Sequence, residues 1–227
     1  MTAKDMFSHR VSILTGHYGT GKTEVSVNLA LALAAEGEQV MLADLDIVNP
    51  YFRSRERRPL LEKAGVRVIS SSQACSDADV PALPAELLTI LENREIRGIL
   101  DIGGDPVGAR VLARFQPKIV QEDYQLIFVL NANRPEVRDA ESAAAYLRSI
   151  EAVTGLTCSG LVNNTHLCGE TTPAEIRKGA ALAQEVSRQT GIPILCHTAE
   201  RRFLESLSDL GEPVFPIAIT MKKPWER

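Results

Sequence analysis

Eight consecutive residues, Gly16-His17-Tyr18-Gly19-Thr20-Gly21-Lys22-Thr23, constrain this chain more than any other stretch. They fit G-x4-G-K-[ST]. The apolar run VSILT (11–15) before them reads as a strand, and the segment from Glu24 to Glu36 reads as a helix that stops at Gly37. In that setting the glycines let the backbone curl into a concavity whose N–H groups point inward, and the helix presents the positive end of its dipole. Such a cradle takes phosphate. Lys22 adds a point charge for the β- and γ-phosphates, and the Thr23 hydroxyl suits Mg²⁺. Gly16, His17, Tyr18, Gly19, Thr20, Gly21, Lys22, Thr23 and Glu24 are therefore the expected phosphate-side contacts.

Further β-rich runs follow at VMLAD (40–44), VRVIS (66–70), GILDI (98–102), LIFVL (126–130), CSGLVN (158–163) and IPILC (192–196), with helical stretches between most of them. One such stretch, Arg138 to Val153, is rich in Ala and Leu and stops at Gly155. Apolar strands joined by crossover helices are buried on both faces, which predicts an α/β fold with a doubly wound, mainly parallel sheet and helices on both sides. No linker or internal repeat divides the 227 residues, and the Pro-bearing segment 77–84 reads as a loop. The expectation is one nucleotide-binding domain over 1–227.

Composition narrows the function. The chain is 44% hydrophobic and 24% charged, as soluble globular proteins are. Twenty-five Lys+Arg against 29 Asp+Glu leave a net charge of −4, which argues against broad nucleic-acid binding. No apolar run approaches the roughly 20 residues of a membrane helix, and MTAKDMFSHR does not resemble a signal peptide, so a cytoplasmic protein without membrane attachment is expected. Cys75, Cys158, Cys168 and Cys196 stand far apart and read as free thiols.

A phosphate loop that does chemistry needs carboxylates facing the metal and the attacking water. Two strand ends offer them. Leu42-Ala43-Asp44-Leu45-Asp46 ends an apolar run in two acids, and Ile99-Leu100-Asp101-Ile102-Gly103-Gly104 places a glycine three residues after an acid, where its amide can meet a γ-phosphate. Either acid alone would read as a cap or turn residue. With the loop beside them, they read as a catalytic set.

These residues resemble the MinD/ParA-like ATPases of the P-loop class. Asp44 and Asp46 are similar to that family's first switch, and Asp101-Ile102-Gly103-Gly104 to its Walker B and second switch. Asn131 to Asp139 resembles the segment ending in P-E-V-x-x-x-R-D, here shortened, and Gly160-Leu161-Val162-Asn163-Asn164 resembles the G-h-h-x-N that recognises adenine. Gly191-Ile192-Pro193 and Gly211-Glu212-Pro213-Val214 resemble the closing strand and tail. The resemblance implies ATP and Mg²⁺ as ligands, with Lys22 and Asp46 catalytic, Thr23, Asp46 and Asp101 facing the metal, Gly104 at the γ-phosphate and Asn164 at the base. Asp46 would orient the attacking water, and Asp44 would stiffen the switch.

One position departs from the family. Its signature lysine follows the first loop glycine and reaches the phosphates of a partner in a nucleotide-sandwich dimer, whereas this chain has His17, then Tyr18. ATP binding is therefore implied more directly than a nucleotide-dependent homodimer. The four arginines of 51–58 could supply a substitute cation or read the switch to a partner, or simply form a solvated face over Tyr51 and Phe52. His166, Cys168, Cys196 and His197 could hold a metal, although their spacing matches no metal motif and ordinary packing explains them. Three roles compete: an ATP-driven switch acting on an unidentified client enzyme or metallocentre, a positioning ATPase of the ParA or MinD type, and a small-molecule synthetase. The D-x-D and the acidic charge favour the first.

Overall fold

Along each central strand, successive side chains enter two different apolar cores. Ile13, Leu100, Leu126, Phe128 and Leu130 face one, while Leu14, Ile99, Ile127 and Val129 face the other. This is the pattern of a sheet covered on both sides. The structure, a computed structural model, describes residues 1–46, 54–70 and 86–221. Tyr51, Phe52, Arg53, Cys75, the segment 77–84 and the terminal residues 222–227 lie outside them.

The strands are β1 (Val11–Thr15), β2 (Gln39–Leu45), β3 (Arg67–Ser70), β4 (Ile96–Ile102), β5 (Tyr124–Leu130), β6 (Cys158–Asn163), β7 (Ile194–Glu200) and β8 (Val214–Ile217). They form one eight-stranded sheet in the order β3-β2-β4-β1-β5-β6-β7-β8, every neighbouring pair parallel. The helices are α1 (Ala3–Met6), α2 (Lys22–Ala35), α3 (Arg58–Lys63), α4 (Glu86–Glu92), α5 (Pro106–Ala109), α6 (Gln116–Ile119), α7 (Ala140–Thr154) and α8 (Pro173–Thr190). Residues of α1, α2 and α3 fill one core, and residues of α4 to α8 fill the other.

Local sequence explains the long helices. Asp139 caps α7 by accepting from Ser142 N, and Gly155 ends it at φ +68°; Thr172 caps α8, and Gly191 ends it at φ +75°. Helix α2 is different: its N-cap is Gly21, which has no side chain to satisfy the first-turn amides. Those amides are left for a ligand.

The predicted strands are all present, several of them longer. Strand β2 runs to Leu45, so Asp44 lies inside the sheet, and β7 runs to Glu200, so His197 as well as Cys196 lies within a strand. β7 extends because β8 pairs with it from His197↔Val214 to Glu200↔Ile217. The chain turns one way from β1 (toward β4, β2 and β3) and the other way from β5 onward, and a switch of direction of this kind opens a crevice at the carboxyl ends of the strands.

Candidate nucleotide site

The loop between β1 and α2 is built on the carbonyl of His17, which accepts from Thr20 N (3.2 Å), Thr20 Oγ1 (2.9 Å) and Lys22 Nζ (3.3 Å). That turn needs glycine. Gly21 has φ +83°, and a Cβ there would lie 2.2 Å from Asn164 Nδ2. Gly104 approaches from the end of β4 so closely that a Cβ would lie 2.7 Å from Lys22 Nζ and 2.9 Å from Tyr18 N.

Charge is stacked around Lys22. Burial pulls its ammonium down from the usual lysine range, opposed by the charges of Asp101, Asp46 and Asp105. Asp101, 1% exposed on β4, is pushed up to about 8 by burial and then by Asp44, with Lys22 and the Thr23 hydroxyl pulling the other way and Asp46 adding to the rise. Among the described residues neither Asp101 oxygen makes a well-formed hydrogen bond, although the Thr23 hydroxyl is close enough to favour the ionised form. The buried Asp101 carboxyl is without a hydrogen-bonded cation among the described residues, and the open amides of α2 are short of an anion. A magnesium–polyphosphate supplies both.

The donor set fits Mg²⁺. Thr23, Asp46 and Asp101 offer hard oxygens, and among the described residues no three His, Cys, Asp or Glu side chains gather as a metal cage. Mg²⁺ takes few protein ligands and completes its shell with phosphate and water.

Comparison with known proteins agrees. A family model described as "ParA: NUBPL iron-transfer P-loop NTPase" matches residues 6–54. The septum site-determining protein MinD of Helicobacter pylori is 24% identical over 96% of this chain and 87% of its own length. The chain resembles MinD/ParA-like P-loop NTPases, by family model over residues 6–54 and by the MinD match over most of its length. The cytosolic Fe-S cluster assembly factor cfd1 of Emericella nidulans is 36% identical over 95 residues, a match spanning 42% of this chain and 26% of that relative. The cell division protein FtsY of Thermotoga maritima shares the fold at a TM-score of 0.56 and 23% identity, over 81% of this chain and 59% of its own.

In this fold the residues read from sequence as the phosphate loop and its acids do converge, but Glu24, His17 and Asn164 each carry contacts that the sequence did not disclose. Glu24 leaves the cradle: its carboxylate accepts from Thr220 N (2.8 Å), Thr220 Oγ1 (2.6 Å) and Met221 N (3.0 Å), because its place on the first turn of α2 turns it toward the tail. His17 does not project outward. Its ring packs edge-on against Tyr146 at 5.1 Å, and its Nδ1 lies 3.1 Å from Tyr18 O and 3.8 Å from Glu136 Oε2. Asn164, 1% exposed, is already engaged: its Nδ2 donates to Thr20 O at 2.8 Å, and its Oδ1 accepts from Thr198 Oγ1 at 2.5 Å. Asn164 thereby clips the loop to β7 and retains one further N–H.

The four metal-candidate residues part company. His197 is fully buried between Asn163 Nδ2 (3.1 Å) and Glu212 Oε2 (3.1 Å), and Cys196 packs into the core facing α2, its thiol pushed up by burial. His166 pairs with its own loop, its Nδ1 accepting from Cys168 N at 3.2 Å and lying 3.9 Å from Cys168 Sγ. Of the arginine cluster, Arg57 is half-buried and Arg58 pairs with Glu62 at 3.2 Å.

Sequence reasoning missed Tyr146, Arg134 and Asp105. Tyr146 on α7 donates to the Gly104 carbonyl, Arg134 Nε donates to the Gly19 carbonyl at 2.7 Å, and Asp105 caps α5 while bearing on Lys22. Asp105 had a signal, a D-P pair directly after Gly103-Gly104.

Proposed function

We propose that this P-loop NTPase binds Mg·ATP and hydrolyses it slowly to ADP and phosphate, using the cycle as a switch on a client protein. The observation that carries the reading is Asp101, a buried carboxylate without a well-formed hydrogen bond among the described residues, set beside Lys22 and Thr23. Lys22 and the amides from Gly16 to Thr23 bind the phosphates. Thr23, Asp46 and Asp101 would hold Mg²⁺, whose charge stabilises the phosphate oxygens as negative charge shifts between them. Asp46 orients a water toward the γ-phosphorus, and the Gly104 amide holds the γ-phosphate from the far side. The remaining N–H and the second Oδ1 lone pair of Asn164 meet a ring acceptor and the N6 amine of adenine, a donor–acceptor pair that favours ATP over GTP in a chain without the NKxD guanine signature.

The client reading leans on relatives. The name of the cfd1 relative, an Fe-S cluster assembly factor of the cytosol, supports a metallocentre or its enzyme as client and a cytoplasmic location. The near-full-length match to MinD supports a positioning role as the second reading, with a nucleotide-dependent homodimer. Gene neighbourhood separates them: a reductase or metalloenzyme operon supports the first, a partition or septum locus the second.

Asp46→Ala tests the chemistry. A carboxylate that positions water acts on the transition state, so the variant keeps ATP affinity while hydrolysis falls about 100-fold. Hydrolysis at the parent rate would contradict the assignment.

A further inference from the structure

The sheet order puts β4 and β2 on one side of β1 and β5, β6 and β7 on the other. Asp46, Asp101 and Gly104, which answer the metal and the terminal phosphate, all stand on the β4 side. A nucleotide whose γ-phosphate faces them carries its nucleoside across the loop, toward the ends of β5 and β6. Three residues hold that ground: Asn164 and His166 against Gly21, and Arg134 against Gly19.

Arg134 stands in the turn after β5. Its Nε is fixed to the Gly19 carbonyl at 2.7 Å, so one edge of the guanidinium is committed. A Cβ on Gly19 would meet Cζ, Nε and Nη1 at 2.9, 3.0 and 3.3 Å, three atoms of the plane at similar distances. The Cβ position of Gly19 therefore lies against the guanidinium, and Arg134 as a whole is half-buried. Among the described residues Arg134 forms no salt bridge, and it is close enough to His166 that its charge, after burial, helps hold that imidazole neutral, at about 4. It is a planar cation, anchored at an edge and uncompensated, on the nucleoside side of a phosphate loop.

We propose that Arg134 is the nucleobase platform of this site, its guanidinium stacking on the adenine ring whose edge Asn164 reads. Guanidinium planes stack on aromatic faces, and one already pinned loses little freedom in doing so. The assignment rests on the ATP reading above and makes Arg134 a specificity-determining residue rather than a phosphate ligand, since Lys22 and the α2 amides already serve the phosphates. It also explains why glycine stands at position 19, where any side chain would displace the platform.

Arg134→Lys keeps a cation able to reach the Gly19 carbonyl and removes the plane. Affinities for Mg·ATP and for Mg·tripolyphosphate, which has phosphates and no base, are measured by competition against a fluorescent ATP analogue, with Arg134→Ala alongside and circular dichroism to confirm folding. The expected result is ATP binding weakened about fivefold in Arg134→Lys, with tripolyphosphate inhibition within twofold of wild type. Unchanged ATP affinity, or a parallel loss for ATP and tripolyphosphate, would overturn the platform. Wild-type protein that fails to bind ATP would instead contradict the function proposed above, so the two failures are told apart.

Discussion

Tyr146 donates its hydroxyl to the carbonyl of Gly104, and Gly104 in turn lies against Lys22 Nζ and Tyr18 N. Helix α7 thereby holds the Gly103-Gly104 turn in place, and burial, with the Asp105 charge, pushes the phenol up to about 12, so it remains a donor throughout the physiological range. Tyr146→Phe removes this tie and little else. Hydrolysis should fall about fivefold, the worth of one hydrogen bond of roughly 1 kcal/mol, while ATP affinity stays within twofold. Single-turnover rates with Mg·ATP check this, and an unchanged rate would show that the tie does not govern the switch.

Asp101 makes the nucleotide-free protein sensitive to pH. Its folded pKa of about 8 lies above the ordinary carboxylate value of 3.8, so between those values the folded state holds a proton that the unfolded chain releases. Its contribution to stability is present below pH 3.8 and lost as pH rises through 8. Asp101→Asn should raise the nucleotide-free Tm at pH 8 by roughly 2–4 °C, about 1 kcal/mol, and abolish the Mg²⁺ dependence of ATP binding. Thermal unfolding at pH 6 and pH 8 distinguishes the variant from wild type: a lower Tm for the variant at pH 8 would contradict the burial argument.

Glu24 anchors the tail. Its carboxylate holds Thr220 and Met221, and Asn28 beside it bonds both polar atoms of the Ala218 backbone. Glu24→Ala should destabilise the fold by about 2 kcal/mol, the scale of a hydrogen-bonded buried charge, and leave ATP affinity unchanged. Urea unfolding and a nucleotide titration on the same sample test it, and a loss of affinity without a loss of stability would return Glu24 to the phosphate cradle.

The division between what the sequence made legible and what it hid follows distance along the chain. The phosphate loop, Asp46 and Asp101 each announce themselves within a few neighbours, as a glycine spacing or an acid at the end of an apolar run, and the apolar runs themselves disclosed the parallel sheet. Arg134 meets Gly19 across 115 residues, Tyr146 meets Gly104 across 42, and Glu24 meets Thr220 across 196, so no local pattern encodes them. β8 was hidden for another reason: Val214-Phe215-Pro216-Ile217 contains a proline, which is tolerated there because β8 is an edge strand. His17 was legible as a departure from the family, but its inward turn depends on Tyr146, another long-range contact.

Titration calorimetry of the wild-type protein with ATP and with GTP, each with and without Mg²⁺, tests the central claim most directly. The account predicts saturable ATP binding that tightens with Mg²⁺ and weaker GTP binding, with Lys22→Ala losing most of the ATP affinity. Binding that ignores Mg²⁺, GTP binding as tight as ATP, or ATP affinity unaffected by Lys22→Ala would contradict it.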